Sequence, residues 1–586
     1  MHERGRPRRE RPRRKTWAER NRRERGVVLV WFTLLLVAIL AFVGFAIDLS
    51  NWWYQAQKLQ RAADAGAHAG VVYLPGDLTS ASSTARAEVA KNGYRSSGAN
   101  TNATVAVQQE PNPNRLRVGV TTEVETFFVG IFGIDRVTLH REAVAEYISP
   151  VPMGSPENRL GNDPEIGYNP QLWSMVGGPR SWKHWGDRYQ AKVCQQSSGY
   201  FESNCGNNSL PGIDNDDYAT EGYLYAIDVT DPVPGQPLKI QIFDPAFVDI
   251  GSTCPSNMLP SSTQLNALRS KPGNPYPDAT TRYAPGTGNY CTGDIDHEGA
   301  NVHTSYIVRR PDNTEWTDLD NPVIDTATCS PQSFKPYDPT NGTTIYNWLN
   351  SGAESVMDGK PPWTFAEVFR KWVTICEIPA GSVQTGKYIL QIRTNARPDD
   401  PTTYDPTVNT GGHNRFSIRA GFGDAGLTSV SGDNLTLAAR GRLPLFTNAT
   451  GANASFYLAR VNAFDAGRTL RVSLFDMGDV SGGAGSLQIL PPPEYGSTFS
   501  GCEFSRDGGG SLSTQSSICK LNNVSAANGY QGKLVTIDVP IPADYDCDED
   551  SPTGCWVTVV ADFPGGVNDV TTWSAAILGN PVRLVE

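Results

Sequence analysis

The residues able to do chemistry are few, and their spacing argues against a catalytic centre. Only seven histidines occur in 586 residues. His297 and His303 stand in HEGANVH, which misses the i, i+4 spacing that sets two zinc-binding rings on one helical face, so a loop is expected there. His184 lies among aromatics in SWKHWGDRY, has no partner that sequence can name, and is expected as a surface or packing residue. No GxSxG elbow, P-loop or glycine-rich dinucleotide loop is found. Two acidic runs, Asp214 to Asp217 and Asp546, Asp548 and Asp550 in DCDEDSP, carry carboxylates that could converge on calcium. The second begins like an EF loop, but Ser551 replaces the required glycine and Val557 stands where the bidentate Glu belongs. Solvated hairpin loops are therefore expected, with no catalytic, cofactor or metal set.

The cysteines are the other reactive group. There are ten: Cys194, Cys205, Cys254, Cys291, Cys329, Cys376, Cys502, Cys519, Cys547 and Cys555. The number is even, no CxxC pair exists, and all lie on one side of the apolar segment described next, so disulfides are expected rather than zinc ligands or buried thiols. Order along the chain suggests Cys194–Cys205, Cys254–Cys291, Cys329–Cys376, Cys502–Cys519 and Cys547–Cys555.

What must position these residues starts at the N-terminus. Met1 to Gly26 hold twelve Arg or Lys against four Glu, a charge of +8, whereas the other 38 basic and 57 acidic residues leave −19. A basic arm alone could grip nucleic acid, but the segment that follows redirects that reading. Residues 26–47, GVVLVWFTLLLVAILAFVGFAI, carry no charge over 22 residues, and as a helix they cover the roughly 30 Å of a hydrocarbon layer. The run is too long for a cleaved signal peptide. Arg and Lys are retained on cytoplasmic flanks, so residues 1–25 are expected as a cytoplasmic arm, 26–47 as a single transmembrane helix, and everything after as extracytoplasmic. Trp52, Trp53 and Tyr54 mark the outer interface. The lipid bilayer is thus an expected partner and nucleic acid is not.

Beyond the span, DLSNWWYQAQKLQRAADAGAHAGVVYL has no Pro or turn chemistry and should continue the same helix. Trp52, Ala56, Leu59, Ala63, Gly66 and Gly70 recur at four- and three-residue steps and form a narrow seam for a closely packed helix, either from this chain's own small domain or from a partner. A second helix at Ser80 to Tyr94, strands at 103–107, 115–121 and 137–147, and a short helix at 125–133 make a small α+β module over 48–148. Residues 149–170, rich in Pro, Gly and Asn, are expected as a linker.

The remainder contains a repeat. Gly222 to Asp244 aligns without gaps to Ala454 to Asp476, matching Tyr225 with Tyr457, Gly235 with Gly467, Leu238 with Leu470, and the FD pairs. Each copy is a strand, a glycine turn and a strand with alternating Leu238/Ile240/Ile242 or Leu470/Val472/Leu474 on one buried side. Gly-Lys strands at Gly386 and Gly532 and closing strands NRFSIRA and CWVTVVAD follow. Two tandem antiparallel β-sandwiches, 171–421 and 430–586, fit this order.

The first 150 residues resemble the Tad/Flp pilus-assembly family, specifically its TadG-like N-terminal module. The residues that carry the likeness are Arg25-Gly26, the apolar span ending in Gly44-FAI-Asp48, and QKLQRAADAGAHAG at 57–70, followed by ARAEVAKNGY, TFFVGIFG and EAVAEY. Trp31 stands where pilin-like members of that system carry Glu after the processed glycine, so cleavage at Gly26 is not expected. No DxSxS occurs, so the metal-dependent adhesion module of some relatives is not expected either. The resemblance implies a non-enzymatic, membrane-anchored, extracytoplasmic component associated with Tad/Flp pilus assembly, meeting other assembly or envelope proteins through its membrane-proximal helix. The alternatives are a surface binding protein or adhesin with an unknown ligand and, remotely, an anchored hydrolase.

Overall fold

The computed structural model describes residues 17–74, 77–98, 100–148, 150–164, 171–197, 200–206, 213–250, 259–273, 276–284, 292–296, 302–314, 317–337, 345–351, 363–449, 453–480, 483–551, 554–579 and 582–585. The chain divides into two compact units, Met1–Tyr147 with Pro581–Glu586, and Ile148–Asn580.

In the smaller unit, α1 (Trp17–Val71) runs unbroken for 55 residues, about 82 Å at 1.5 Å per residue. The apolar span and the Ala/Gln-rich sequence after it are one helix, as their lack of helix breakers leads one to expect. Next, α2 (Leu78–Lys91) starts where Asp77 accepts the Ser80 N–H at 2.9 Å, an N-cap that relieves a free helical donor. Strands β1 (Ala103–Gln109), β2 (Arg115–Glu125) and β3 (Arg136–Tyr147) form an antiparallel meander. The alternating Leu116, Val118 and Val120 of β2 are buried with Leu59, Ala63, Ala67, Ala85 and Val89 in a core of this unit's own. A strand from the far end of the chain, Val582–Leu584, completes the sheet by pairing with β3, Ala145 opposite Leu584. Arg583 reaches the buried Glu146 carboxylate at 2.9 Å, and Arg115 meets the same group at 3.0 Å. Segment 125–133, expected as helix, is only a 3-10 turn at Val129–Phe132, because the amides just before and at its start are held by Asp48.

The larger unit is a two-layered antiparallel β structure. Its strands, in chain order, are β4 (Pro152–Met153), β5 (Gln171–Gly177), β6 (Tyr223–Val229), β7 (Leu238–Phe243), β8 (Thr304–Arg309), β9 (Gln332–Phe334), β10 (Trp372–Ile378), β11 (Gly386–Arg393) and β12 (His413–Phe422). They continue with β13 (Leu435–Arg440), β14 (Arg442–Ala449), β15 (Asn453–Arg460), β16 (Thr469–Phe475), β17 (Gly485–Leu490), β18 (Lys520–Val524), β19 (Leu534–Pro540), β20 (Trp556–Asp562) and β21 (Val567–Ile577). One sheet runs β9-β8-β11-β6-β13-β4-β15-β20-β17-β18 and the other β10-β7-β12-β5-β14-β21-β16-β19, with short strands at the edges.

This order contains the repeat twice over. Strands β5-β12-β7-β10 face β6-β11-β8-β9, and β14-β21-β16-β19 face β15-β20-β17-β18. Each set of eight has the connectivity of a jelly roll. The aligned turn glycines Gly235 and Gly467 have φ of 76° and 77°, and the aligned Asp244 and Asp476 have φ of 57° and 59°. The leading strands are exchanged: β13, which precedes the second roll, pairs with β6 of the first, while β4, which precedes the first, pairs with β15 of the second. Strands β13 and β4 also pair with each other, as do β5 and β14, so both sheets and one hydrophobic core run through both rolls. The Pro- and Gly-rich stretch expected as a linker therefore contributes strands: β4 joins one sheet, and Arg159–Leu160 pairs with β12.

The Gly-Lys equivalence differs from expectation. The strand opened by Gly386 lies beside β6, whereas the strand after Gly532 lies beside β16, in the opposite layer. Its true counterpart is KWVTI at 371–375, which matches KLVTI at 533–537. In both rolls the lysine carbonyl of that stretch accepts the amide of the left-handed Asp, Asp244 to Lys371 at 3.0 Å and Asp476 to Lys533 at 3.2 Å.

Candidate functional site

The surface that separates this chain from an ordinary β protein lies on α1 and the tip of the β2–β3 hairpin. The first part of α1 is apolar and uncovered: Val27, Trp31, Leu35, Phe42 and their apolar neighbours are exposed, unlike the residues of a soluble domain's core helix. From Ala56 onward the helix turns one face inward. Ala56, Leu59, Ala63, Gly66 and Gly70 are buried, and Trp52 at the head of the seam is half-buried with its ring edge-on to Phe45. The glycines are there because the chain comes so close. A Cβ on Gly70 would stand 2.7 Å from the Ala81 carbonyl oxygen and 2.9 Å from the Ala85 Cβ, and one on Gly66 would stand 2.6 Å from Val89. The seam is thus filled by α2 and β2 of the same unit.

Where the apolar part of α1 ends, Asp48 is buried and accepts three backbone N–H groups, from Phe127 at 2.7 Å, Phe128 at 2.8 Å and Val129 at 2.7 Å. A carboxylate satisfied by three amides fixes the hairpin tip to the helix. Phe128 closes the join, its ring atoms lying 2.8–2.9 Å from where a Cβ on Gly44 would be. The rest of the tip is bare: Phe127, Ile131, Phe132 and Ile134 are 64%, 80%, 78% and 50% exposed.

Residues 26–81 match the family model Tad, described as "Putative Flp pilus-assembly TadE/G-like". The TadE/G-like segment covers the apolar run, the whole seam, and the start of α2 against which Gly70 packs. No curated protein matches the chain, and no solved structure does.

Outside the TadE/G-like segment the reactive residues are tied into structure. Disulfides join Cys194 to Cys205, Cys329 to Cys376, Cys502 to Cys519 and Cys547 to Cys555; Cys254 and Cys291 lie outside the described residues. The Cys547–Cys555 bond lies wholly within the connection from β19 to β20, which belong to opposite sheets, so it closes a loop at the start of β20 rather than a hairpin. Cys376 lies within β10 and Cys519 just ahead of β18, so these two do not occupy equivalent places. His184, for which sequence offered no partner, is buried with Nδ1 2.6 Å from Glu202 Oε1. His297 lies outside the described residues.

In the first acidic run, Asp217 accepts from Lys183 Nζ at 2.7 Å and Arg188 Nε at 3.0 Å. In the second, Asp548 accepts the Ser551 amide at 3.3 Å and Glu549 the Ala463 amide at 2.7 Å. Sequence reasoning missed a set of fully buried acids. Burial pushes the carboxyl of Asp244 up to about 7, and burial with the neighbouring Asp479 does the same for Asp569. Asp244 takes the Thr292 hydroxyl at 3.0 Å and Asp569 the Gly478 amide at 2.7 Å. The doubled FD of the repeat was the signal for Asp244, and Asp569, in VNDV, had none.

Proposed function

We propose that this chain is a single-pass, membrane-anchored, non-enzymatic component of the bacterial envelope associated with Flp-type pilus assembly. Its basic arm lies in the cytoplasm, and the residues after Asn51 lie on the other side. The observation that carries the reading is the coincidence of the TadE/G-like match at 26–81 with an uncovered apolar helix and a glycine seam. The twelve basic residues ahead of the span support the orientation. Because the seam is occupied by α2, assembly partners meet the module on its exposed surfaces, and the jelly rolls are carried outside the cell.

A second reading, a surface binding protein, draws on the jelly rolls, an architecture shared with lectins. An open cleft beside Asp479, Ser525, Asn528 and Asn568 offers it polar groups. Protease treatment of spheroplasts separates the anchor from its alternatives: a tag before Arg25 is protected and sites after Ser149 are cut. Cleavage of the N-terminal tag with protection of the C-terminus overturns the orientation.

A further inference from the structure

We propose that the hairpin tip Phe127–Ile134 is a second membrane contact, seated in the interfacial layer of the bilayer where the span emerges and clamped to it by Asp48. This rests on the reading of residues 26–47 as a span. The tip's depth follows from the packing of this unit. The Gln60 side chain donates to the Glu142 carbonyl at 2.9 Å, and Asp48 holds residues 127–129. From Gln60 back to Asp48 the helix descends about 18 Å. From Glu142 back to Arg136, β3 descends about 20 Å. Helix and hairpin therefore run side by side, and the tip lies level with Gly44 to Asp48, the last turn of the apolar run.

The chemistry of the tip fits lipid. Among the described residues of the larger unit only Leu319 and Val430 are large exposed hydrophobics, whereas five gather here, Phe128 being 42% exposed as well as packed on Gly44. The charges begin directly behind them. Arg136 pairs with Glu123 at 3.2 Å and Glu125 at 3.6 Å, all three exposed, as a headgroup-level band would be. Exposed aromatic Trp53 and Tyr54 stand on α1 just beyond Asp48, the place such side chains take at a membrane surface. An apolar patch continuous with a span, rimmed by charge and lashed to it through backbone amides, is built to sit in the same bilayer.

The test uses the full chain in phosphatidylcholine/phosphatidylglycerol vesicles, with an environment-sensitive fluorophore on Ile131→Cys, Val37→Cys or Ser97→Cys and the parent chain as labelling background. The Ile131 label is expected to be blue-shifted and quenched by lipids carrying a nitroxide high on the acyl chain, the Val37 label by deep nitroxides, and the Ser97 label only by aqueous iodide. An Ile131 label that behaves like Ser97 while Val37 is lipid-quenched overturns the proposal and leaves the span standing. A Val37 label that no lipid quencher reaches removes the span and this proposal with it. Adding Asp48→Ala should return the Ile131 label to iodide without changing Val37; unchanged lipid quenching at Ile131 refutes the clamp.

Discussion

Replacing Gly70 by Ala sets two effects of opposite sign against each other. In an exposed helix the change stabilises by about 1 kcal/mol, because Ala loses less backbone entropy than Gly. Here the new methyl meets the Ala81 carbonyl oxygen and Leu116 Cδ2 at 2.7 Å and the Ala85 Cβ at 2.9 Å. The oxygen belongs to the backbone of α2 and Ala85 has no rotamer to change, so α2 itself must move. Overpacking costs about 1–3 kcal/mol, and a clash with backbone that no rotamer relieves belongs to the upper part of that range, about 2–3 kcal/mol, which outweighs the gain in propensity. The account predicts a net loss of about 1–2 kcal/mol, or a roughly 5- to 30-fold increase in opening. Gly70→Leu should undock α2 outright. Hydrogen exchange of the full chain in lipid nanodiscs reads this directly at the amides of α2 and β2. Unchanged or increased protection in Gly70→Ala would mean that the seam is open and available to a partner helix.

Ending the chain at Asn580 removes the strand beside β3 and Arg583, leaving the buried Glu146 with Arg115 and Asn112. Faster exchange along β3 is expected, with a cost of about 1–3 kcal/mol. Changing Cys547 and Cys555 together to Ser should lower the denaturation midpoint by the equivalent of about 2–3 kcal/mol, since the bond closes a short loop with a separation of 8. Raised carboxyl pKa values give stability that is fully present below the ordinary value of 3.8 and lost as pH rises through about 7 at Asp244 and Asp569. Urea unfolding followed by tryptophan fluorescence should thus show a weaker protein at pH 8 than at pH 5, by on the order of a few kcal/mol, with the slope reduced in Asp569→Asn.

What could be read in the sequence was whatever depends on neighbours in the chain. The apolar run, its helical continuation, the order of the small module and the 232-residue repeat offset all show locally, and the matching φ of Gly235 and Gly467 shows why the repeat had to keep glycine in that turn. Pairings between distant segments did not show. Pro152–Met153 is too short to look like a strand, and its partners Ala439 and Ala459 are set by the exchange between the two rolls. The return of Val582–Leu584 to β3 was equally silent. Segment 125–133 is expected as a helix, but the hold of Asp48 on the amides of Phe127, Phe128 and Val129 decides its conformation, and in the sequence Asp48 marks no more than the end of a span. The disulfides follow the order of the cysteines along the chain, at the separation of 8 in Cys547–Cys555 and equally at 47 in Cys329–Cys376.

The central claim is that the chain serves Flp-type pilus assembly through a membrane-held TadE/G-like module. It is tested most directly by counting surface Flp fibres by electron microscopy in the native host after the chromosomal copy is cut back to residues 51–586 behind a cleavable signal peptide. The account predicts that fibres are lost although the truncated chain is exported and folded. Fibre numbers equal to those of the parent strain would contradict it.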